Sequence, residues 1–251
     1  MKSNSTKTKP MKVKLVTLLA LAAALLPTGL RADETKHWSF DASLYGVAAG
    51  MSGDMTVKGI STDLNVGFDK VLDHLKFGAM GTVKVGYDRF SLSTDVIYMD
   101  LGASKGPVSA EAQQWLVQPM LGYRLCSFFE VTAGTRYNNL SATIQGTGPL
   151  GNFRSASGTV EWWDPVIGGR VSVPLFKTLS FDVMGDVGGF DVSSSLTWQA
   201  QPLLNWHFTK WGSIQAGYRW LYTDYSQGSG TSKFRYDILT QGPQVGFSLS
   251  F

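Results

Sequence analysis

From Trp38 to the last residue, apolar and polar side chains alternate with period two over segments of roughly ten residues. That is the spacing of β-strands with two different faces. Ten such segments can be traced. Trp38, Phe40, Ala42 and Leu44 oppose Ser39, Asp41, Ser43 and Tyr45 in the first. The second runs from Phe77 to Tyr87 and the third from Phe90 to Leu101. The fourth and fifth flank a turn at Cys126 and Ser127, the sixth and seventh a turn at Phe176 to Thr178, and the eighth and ninth one at Thr209 and Lys210. The last ends Val245, Phe247, Leu249, Phe251 against Gln244, Gly246, Ser248 and Ser250. Tight turns near Asp88, Cys126, Lys177 and Lys210 interleave with longer polar stretches at 51–75, 102–111, 142–158 and 226–232, and with a shorter link at 190–194. An even number of antiparallel strands, with short turns at one end and long loops at the other, is the layout of a closed transmembrane β-barrel. Ten strands are expected, or eight or twelve if 51–66 pairs or the 190–194 link is not a turn.

Alternation alone does not say which face points outward, so a soluble β-protein is the competing reading. Three features favour lipid outside. Trp38, Tyr87, Phe90, Tyr123, Phe129, Phe181, Trp206, Phe208 and Phe251 gather near the short turns, and Tyr98, Trp115, Tyr137, Trp163, Trp198, Tyr218 and Trp220 near the loops. Two such girdles belong at the two membrane interfaces. The polar face is rich in Gly, Ser, Thr and Gln, unlike the charged exterior of a soluble barrel. Charged residues are also few, 16% of the chain against about 25% in soluble domains.

Residues 1–32 read as a secretory signal peptide: five lysines precede the apolar run Leu15 to Leu26, followed by Pro27, Gly29 and Ala32. The run is shorter than the roughly 20 residues of a spanning helix, so an uncleaved anchor is the weaker alternative. Met11 is an alternative start. Removing the segment's six basic residues from the 22 leaves 16 against 19 acids, a formal charge of −3. The sequence pI of 8.9 therefore belongs to the precursor, and a nucleic-acid partner is not expected. Residues 33–251 are expected to form one barrel domain, with short turns facing the periplasm and long loops outside.

The terminal Phe247-Ser-Leu-Ser-Phe251, with Trp163-Asp-Pro-Val-Ile-Gly-Gly-Arg170, Asp186-Val-Gly-Gly-Phe190 and Leu196-Thr-Trp-Gln199, resembles a subgroup of small, uncharacterised bacterial outer-membrane β-barrel proteins ending in an aromatic residue. The resemblance implies the fold, an outer-membrane location with lipid as the surrounding partner, and reading of Phe251 by the barrel-assembly machinery. It implies no reaction.

Motifs for chemistry are sparse. The lone Cys126 excludes a disulfide framework and a cysteine-rich metal site. Gly146-Thr-Gly-Pro-Leu-Gly151 matches a dinucleotide fingerprint on paper, but the next residues, Asn152 to Gly158, are Ser- and Gly-rich and lack a helical pattern. Asn139-Leu-Ser141 is a formal glycosylation sequon without a reason to be used in a bacterial barrel. His37 and His207 lie at the short-turn end. His74 lies in an outer connection beside Asp69 and Asp73, where Asp69 to Leu75 has the spacing of a short amphipathic helix over the barrel mouth. No triad emerges, so no enzyme and no cofactor are expected.

The inward charges carry most of the physical content. Lys84, Arg124, Arg136, Arg170 and Arg219 match Asp95, Glu130, Asp164, Asp182 and Asp186, five against five. Cross-strand reach puts Arg124 opposite Glu130, Arg170 beside Asp182 and Lys84 diagonal to Asp95. Balanced pairing favours a largely occluded lumen and a structural or surface-interaction role. A narrow passive channel is the alternative, and a hydrolase the third reading. Pro119, Pro165, Pro202 and Pro243 recur in the fourth, sixth, eighth and tenth segments. A proline cannot donate to a ladder and a closed barrel has no free edge, so bulges or a shortened ladder are expected there. The equal spacing of Trp115 to Pro119 and Trp198 to Pro202 hints at duplicated hairpins.

Overall fold

The computed structural model describes residues 38–57, 60–105, 108–147 and 153–251. Residues 1–32, read above as a signal peptide, and His37 lie outside them, as do the last residues of the Gly146 to Gly151 motif.

The strands are β1 (Trp38–Val47), β2 (Gly50–Val57), β3 (Ile60–Val66), β4 (Leu75–Tyr87), β5 (Phe90–Lys105), β6 (Val108–Cys126), β7 (Phe129–Thr147), β8 (Phe153–Phe176), β9 (Leu179–Gly189), β10 (Ser194–His207), β11 (Gly212–Gln227) and β12 (Phe234–Ser250). A short helix, α1 (Phe68–Asp73), precedes β4. Each strand from β4 to β12 pairs antiparallel with the next, and β1 pairs with both β4 and β12. The result is a closed ten-stranded antiparallel barrel with β2 and β3 as two additional strands. Closure through β1 leaves no free edge over the lower half of the wall, which a chain surrounded by lipid requires.

The 51–75 stretch is more ordered than a polar loop. β2 continues the line of β1 along β12, from Gly50↔Gln241 to Thr56↔Arg235. β3 then returns beside β2. The hairpin pairs, yet the strand count of the barrel stays at ten because β2 prolongs β1 rather than adding a stave. The stretches 102–111 and 142–158 are likewise ladder rather than loop. β5–β6 pairing reaches Lys105↔Val108, and β7–β8 pairing reaches Thr147↔Phe153. Serine and threonine are common in these segments, and threonine suits a strand well enough for backbone pairing to continue beyond the apolar band. The link after β9 is a tight turn with Phe190 and Asp191 at positive φ. It is held by the Asp164 carboxylate, which accepts from the Ser194 amide and hydroxyl, both at 2.7 Å.

The four prolines resolve into one pattern. Each is paired with the preceding strand: Thr94↔Pro119, Thr135↔Pro165, Val183↔Pro202 and Tyr218↔Pro243. On the following strand the ladder is interrupted at each of them. β6–β7 pairing skips from Val117↔Tyr137 to Met120↔Gly134, and β10–β11 pairing from Ala200↔Trp220 to Leu203↔Gly217. β8–β9 pairing begins only at Val166↔Gly188, and β12 leaves β1 at Gln244 to meet β2 at Gln241. The missing N–H is thus absorbed by one-sided gaps rather than bulges. Glycines let the strands stay close beside three gaps. A Cβ on Gly134, Gly188 or Gly217 would collide with the carbonyl oxygen of Pro119, Pro165 or Pro202.

The outward face between the gaps and the short turns is apolar, with Leu44, Val83, Leu92, Leu121, Ile167, Leu204, Ile214 and Val245 all exposed. Aromatic pairs border it at both ends. Trp38–Tyr87 and Phe90–Tyr123 lie toward the short turns, and Tyr98–Trp115 and Tyr137–Trp163 lie toward the opposite end, with ring centroids 4.5–5.1 Å apart. A band of exposed leucine, valine and isoleucine edged by aromatics is a surface matched to a bilayer, not to water.

Candidate functional site: a three-layered lumen

Strand alternation turns the polar face inward, and the side chains there sort into three layers. At the short-turn end is a polar vestibule of about 570 Å³ whose lining runs from Ser127, Phe128 and Ser250 up to Tyr45, Asp95 and Gln199. In it Lys84 Nζ meets Glu130 Oε2 at 2.5 Å, and Ser91 donates to the other oxygen of that carboxylate. Ser172 donates to Asp182 at 2.5 Å. Arg124 and Arg170 line the same cavity and form no ion pair among the described residues.

The ceiling of the vestibule is a layer of buried charges. Arg136, fully enclosed, donates to Gln118 Oε1 (3.0 Å), Thr197 Oγ1 (2.6 Å) and Asp186 Oδ1 (2.6 Å). The second Asp186 oxygen accepts from Gln118 and Gln199, each at 2.7 Å. Gln199 then accepts from Arg219 Nη2 at 2.8 Å, and Arg219 also donates to Asp95 Oδ2 (2.8 Å) and the Tyr45 hydroxyl (2.7 Å). Tyr45 and Thr82 both donate to Asp95 Oδ1, at 2.6 and 2.7 Å. The connected chain joins β1, β4, β5, β6, β7, β9, β10 and β11 across the lumen. Every charge in it has an opposite partner and further hydrogen bonds, the condition under which buried charges persist.

Above this layer two largely apolar clusters are buried, among polar groups such as Asn138 and Thr223. Trp162, Tyr225, Tyr236 and Ile238 form one cluster, with the Trp162 and Tyr225 rings stacked at 4.2 Å. Ile97, Met99 and Leu116, with Met80 and Leu221 against them, form another.

The structure redistributes the expected partners. Arg124 is the register partner of Glu130, but the carboxylate's ion pair is with Lys84, from a strand farther round the barrel. Lys84 does lie diagonal to Asp95, whose direct neighbour is Thr82; that carboxylate is taken by Arg219 from across the lumen. Asp182 faces Ser172 rather than Arg170, whose guanidinium contacts Met184 Sδ. Asp164 is the register partner of Arg136, yet holds Ser194 and accepts from the Trp162 indole at 3.1 Å. Asp182 and Arg170 simply take their direct neighbours Ser172 and Met184, whereas Lys84–Glu130 and Arg219–Asp95 share one physical reason. In a narrow barrel a long side chain reaches across the lumen as easily as to the next strand. Neighbour rules miss such chords, and with them Tyr45, Gln118 and Gln199. Their signal was their place on the polar face, and for Gln118 also the Gln-Pro step that Gln118-Pro119 shares with Gln201-Pro202. The two buried arginines come after those prolines at one spacing, Pro119 to Arg136 and Pro202 to Arg219, and each flanks a ladder gap.

Two histidines are described. His74 closes α1 and its Nδ1 lies 2.7 Å from the Lys70 carbonyl oxygen. His207 Nε2 lies 3.1 Å from Ser180 Oγ at the vestibule rim; among the described residues no carboxylate is hydrogen-bonded to either imidazole. Phe251 exchanges backbone hydrogen bonds with Phe40, 2.9 and 3.0 Å, so the terminal residue extends the β12–β1 closure.

Among solved structures, the fold is similar to the outer membrane protease OmpT from Escherichia coli, with a TM-score of 0.52 at 10% identity over 88% of this chain and 99% of that one. The chain also aligns with Ail, the attachment invasion locus protein of Yersinia pestis, at a TM-score of 0.38 and 11% identity over 86% and 100% of the two chains. Neisserial surface protein A aligns at 0.31 and 10% over 87% and 100%. No family model and no curated protein matches the sequence. The likeness to the OmpT structure supports the barrel fold and nothing finer.

Proposed function

We propose that this chain is a bacterial outer-membrane barrel with a closed lumen, exported through a cleaved N-terminal signal peptide, inserted with the barrel-assembly machinery, and serving a structural or surface-interaction role without enzymatic activity or cofactor. One observation carries this reading: the Arg136–Asp186 and Arg219–Asp95 pairs, tied together by Gln118, Gln199, Tyr45 and Thr197, cross the lumen with every member buried. A conducting pore lines its water path with a surplus of one sign. Here the charges neutralise one another, and the apolar clusters above offer ions nothing to replace their hydration. The surface role draws on the ladder of β6, β7 and β8, which continues well past the aromatic girdle at Trp115, Tyr137 and Trp163 and presents Asn139, Ser141, Thr159 and Glu161 outward.

The test is solute retention. Vesicles containing the refolded mature protein should hold trapped potassium and small sugars as long as protein-free vesicles do. Rapid release through the unmodified barrel would favour the narrow-channel reading instead. Orientation is tested on intact cells carrying single introduced cysteines in a Cys126→Ser background. Position 69 should react with an impermeant reagent and position 210 should not, and the reverse would invert the topology.

A further inference from the structure

The barrel wall is not paired over its whole height. The β1–β4 ladder ends at Leu44↔Gly81. Beyond it, Tyr45 to Val47 pair with β12, and the Leu75 to Met80 side of β4 pairs with β5. Among the described residues no ladder joins the two rims. The chain detours instead through the β2–β3 hairpin and α1 before it enters β4. The resulting seam lies between mid-wall Val83 and the girdle ring Phe77, which sits 5.9 Å from Tyr98. It therefore opens on the half of the apolar band nearer the long-loop end.

The space behind the seam differs from the rest of the lumen. Val47 and Ala49 from one rim and Met80 from the other line a small cavity with Ile97, Met99, Leu116 and Leu221, and Gln114, Thr240 and Arg219 supply its few polar groups. Its volume is about 40 Å³, and its walls are almost wholly apolar. Over its apolar walls such a space offers water few partners and takes hydrocarbon. Met80 and Met99 are unbranched and thioether-jointed, so the space can enlarge around an inserted group. The apolar character continues outside: Leu75 and Phe77 on the β4 rim, and Phe68 and Leu72 of the helix that leads into it, are all exposed. The floor is the Arg219 layer, which prevents deeper passage.

We propose that the seam between β1 and β4 admits the end of a hydrocarbon chain from the surrounding leaflet into this cavity, making the upper lumen a binding site for lipid acyl chains. The proposal rests on the membrane-embedded reading above. Entry is lateral, through the wall, because the polar vestibule below is separated by the charge layer.

The experiment uses the refolded mature protein, Cys126→Ser, in phosphatidylcholine vesicles containing a fraction of phosphatidylcholine with a diazirine at the end of one acyl chain. Adducts formed on illumination are mapped by mass spectrometry. Adducts on the outward residues Val83, Leu92 and Leu121 report membrane embedding. Adducts on inward Met80, Met99 or Leu116 report entry through the wall, and both sets are expected. A seam bolt, Gly46→Cys with Ala79→Cys, should abolish the inward adducts when oxidised and restore them on reduction, leaving the outward set unchanged. Val47→Phe, which fills the cavity from its rim, should abolish them without a disulfide. Outward adducts without inward ones overturn the seam proposal alone, as do inward adducts that persist in both the oxidised bolt and Val47→Phe. Absence of the outward set overturns the membrane reading itself. Inward adducts obtained from a free diazirine fatty acid but not from the phospholipid would also overturn lateral entry from the leaflet.

Discussion

The vestibule and the layer above it use the same side chains under different conditions. In the vestibule Lys84 and Glu130 form a close ion pair beside the 570 Å³ cavity, with side chains 12% and 10% exposed, whereas Arg136 and Asp186 are at 0% and 2%. Arg124 and Arg170 stand in the vestibule without an ion pair among the described residues, while each arginine of the upper layer has a carboxylate. The difference teaches that charges of the lower lumen border a space open to water, whereas those of the middle layer have protein partners alone. A charge near the vestibule can lose its partner and be hydrated; one in the layer cannot.

The largest effect should come from breaking that layer on one side. Arg136→Met leaves the Asp186 carboxylate enclosed with only amide donors, and should cost on the order of 3–5 kcal/mol. Adding Asp186→Leu should recover much of the loss, so the double variant costs less than the sum of the singles. Denaturant unfolding in a lipid or detergent system reads both. Additive single effects would place Arg136 in a hydrated setting like that of the vestibule.

The next effect sets the lumen against the lipid face. Val183, on the outward side opposite Pro202 and Val171, should tolerate arginine poorly, by roughly 2–4 kcal/mol at mid-bilayer. Ser172→Arg points into the vestibule and should cost about 0–1 kcal/mol, as for sites with access to water. Equal folding yields in bilayers would contradict the assignment of faces.

Smaller still is the Lys84–Glu130 pair. Its coupling in a double-mutant cycle should be about 1 kcal/mol and should shrink in high salt, as screened pairs do. Salt-independent coupling as large as that of Arg136 with Asp186 would erase the distinction between the regions. Arg124→Gln should change stability by no more than about 0.5 kcal/mol, the range of surface substitutions.

Much of this was legible in the chain. The alternation from Trp38 onward and the turns near Asp88, Cys126, Lys177 and Lys210 specify ten staves and their inward faces, because a one-residue slip would expose every polar side chain to lipid. The β2–β3 hairpin also had a signal, with Met51, Gly53 and Met55 alternating against Ser52, Asp54 and Thr56, but nothing local says that β2 prolongs β1 along β12. Partner choice within the lumen was not legible. Asp95 and Arg219 lie 124 residues apart and meet only because the barrel closes. The prolines signalled a break in the ladder without saying on which side it falls.

Single-channel recording on the parent barrel and on Arg136→Ala and Arg219→Ala tests the central claim most directly, namely that the paired layer closes the lumen. The parent should be silent, and each variant should leak once its layer is opened toward the vestibule. Steady, ion-selective conductance in the parent, unaltered in either variant, would contradict it.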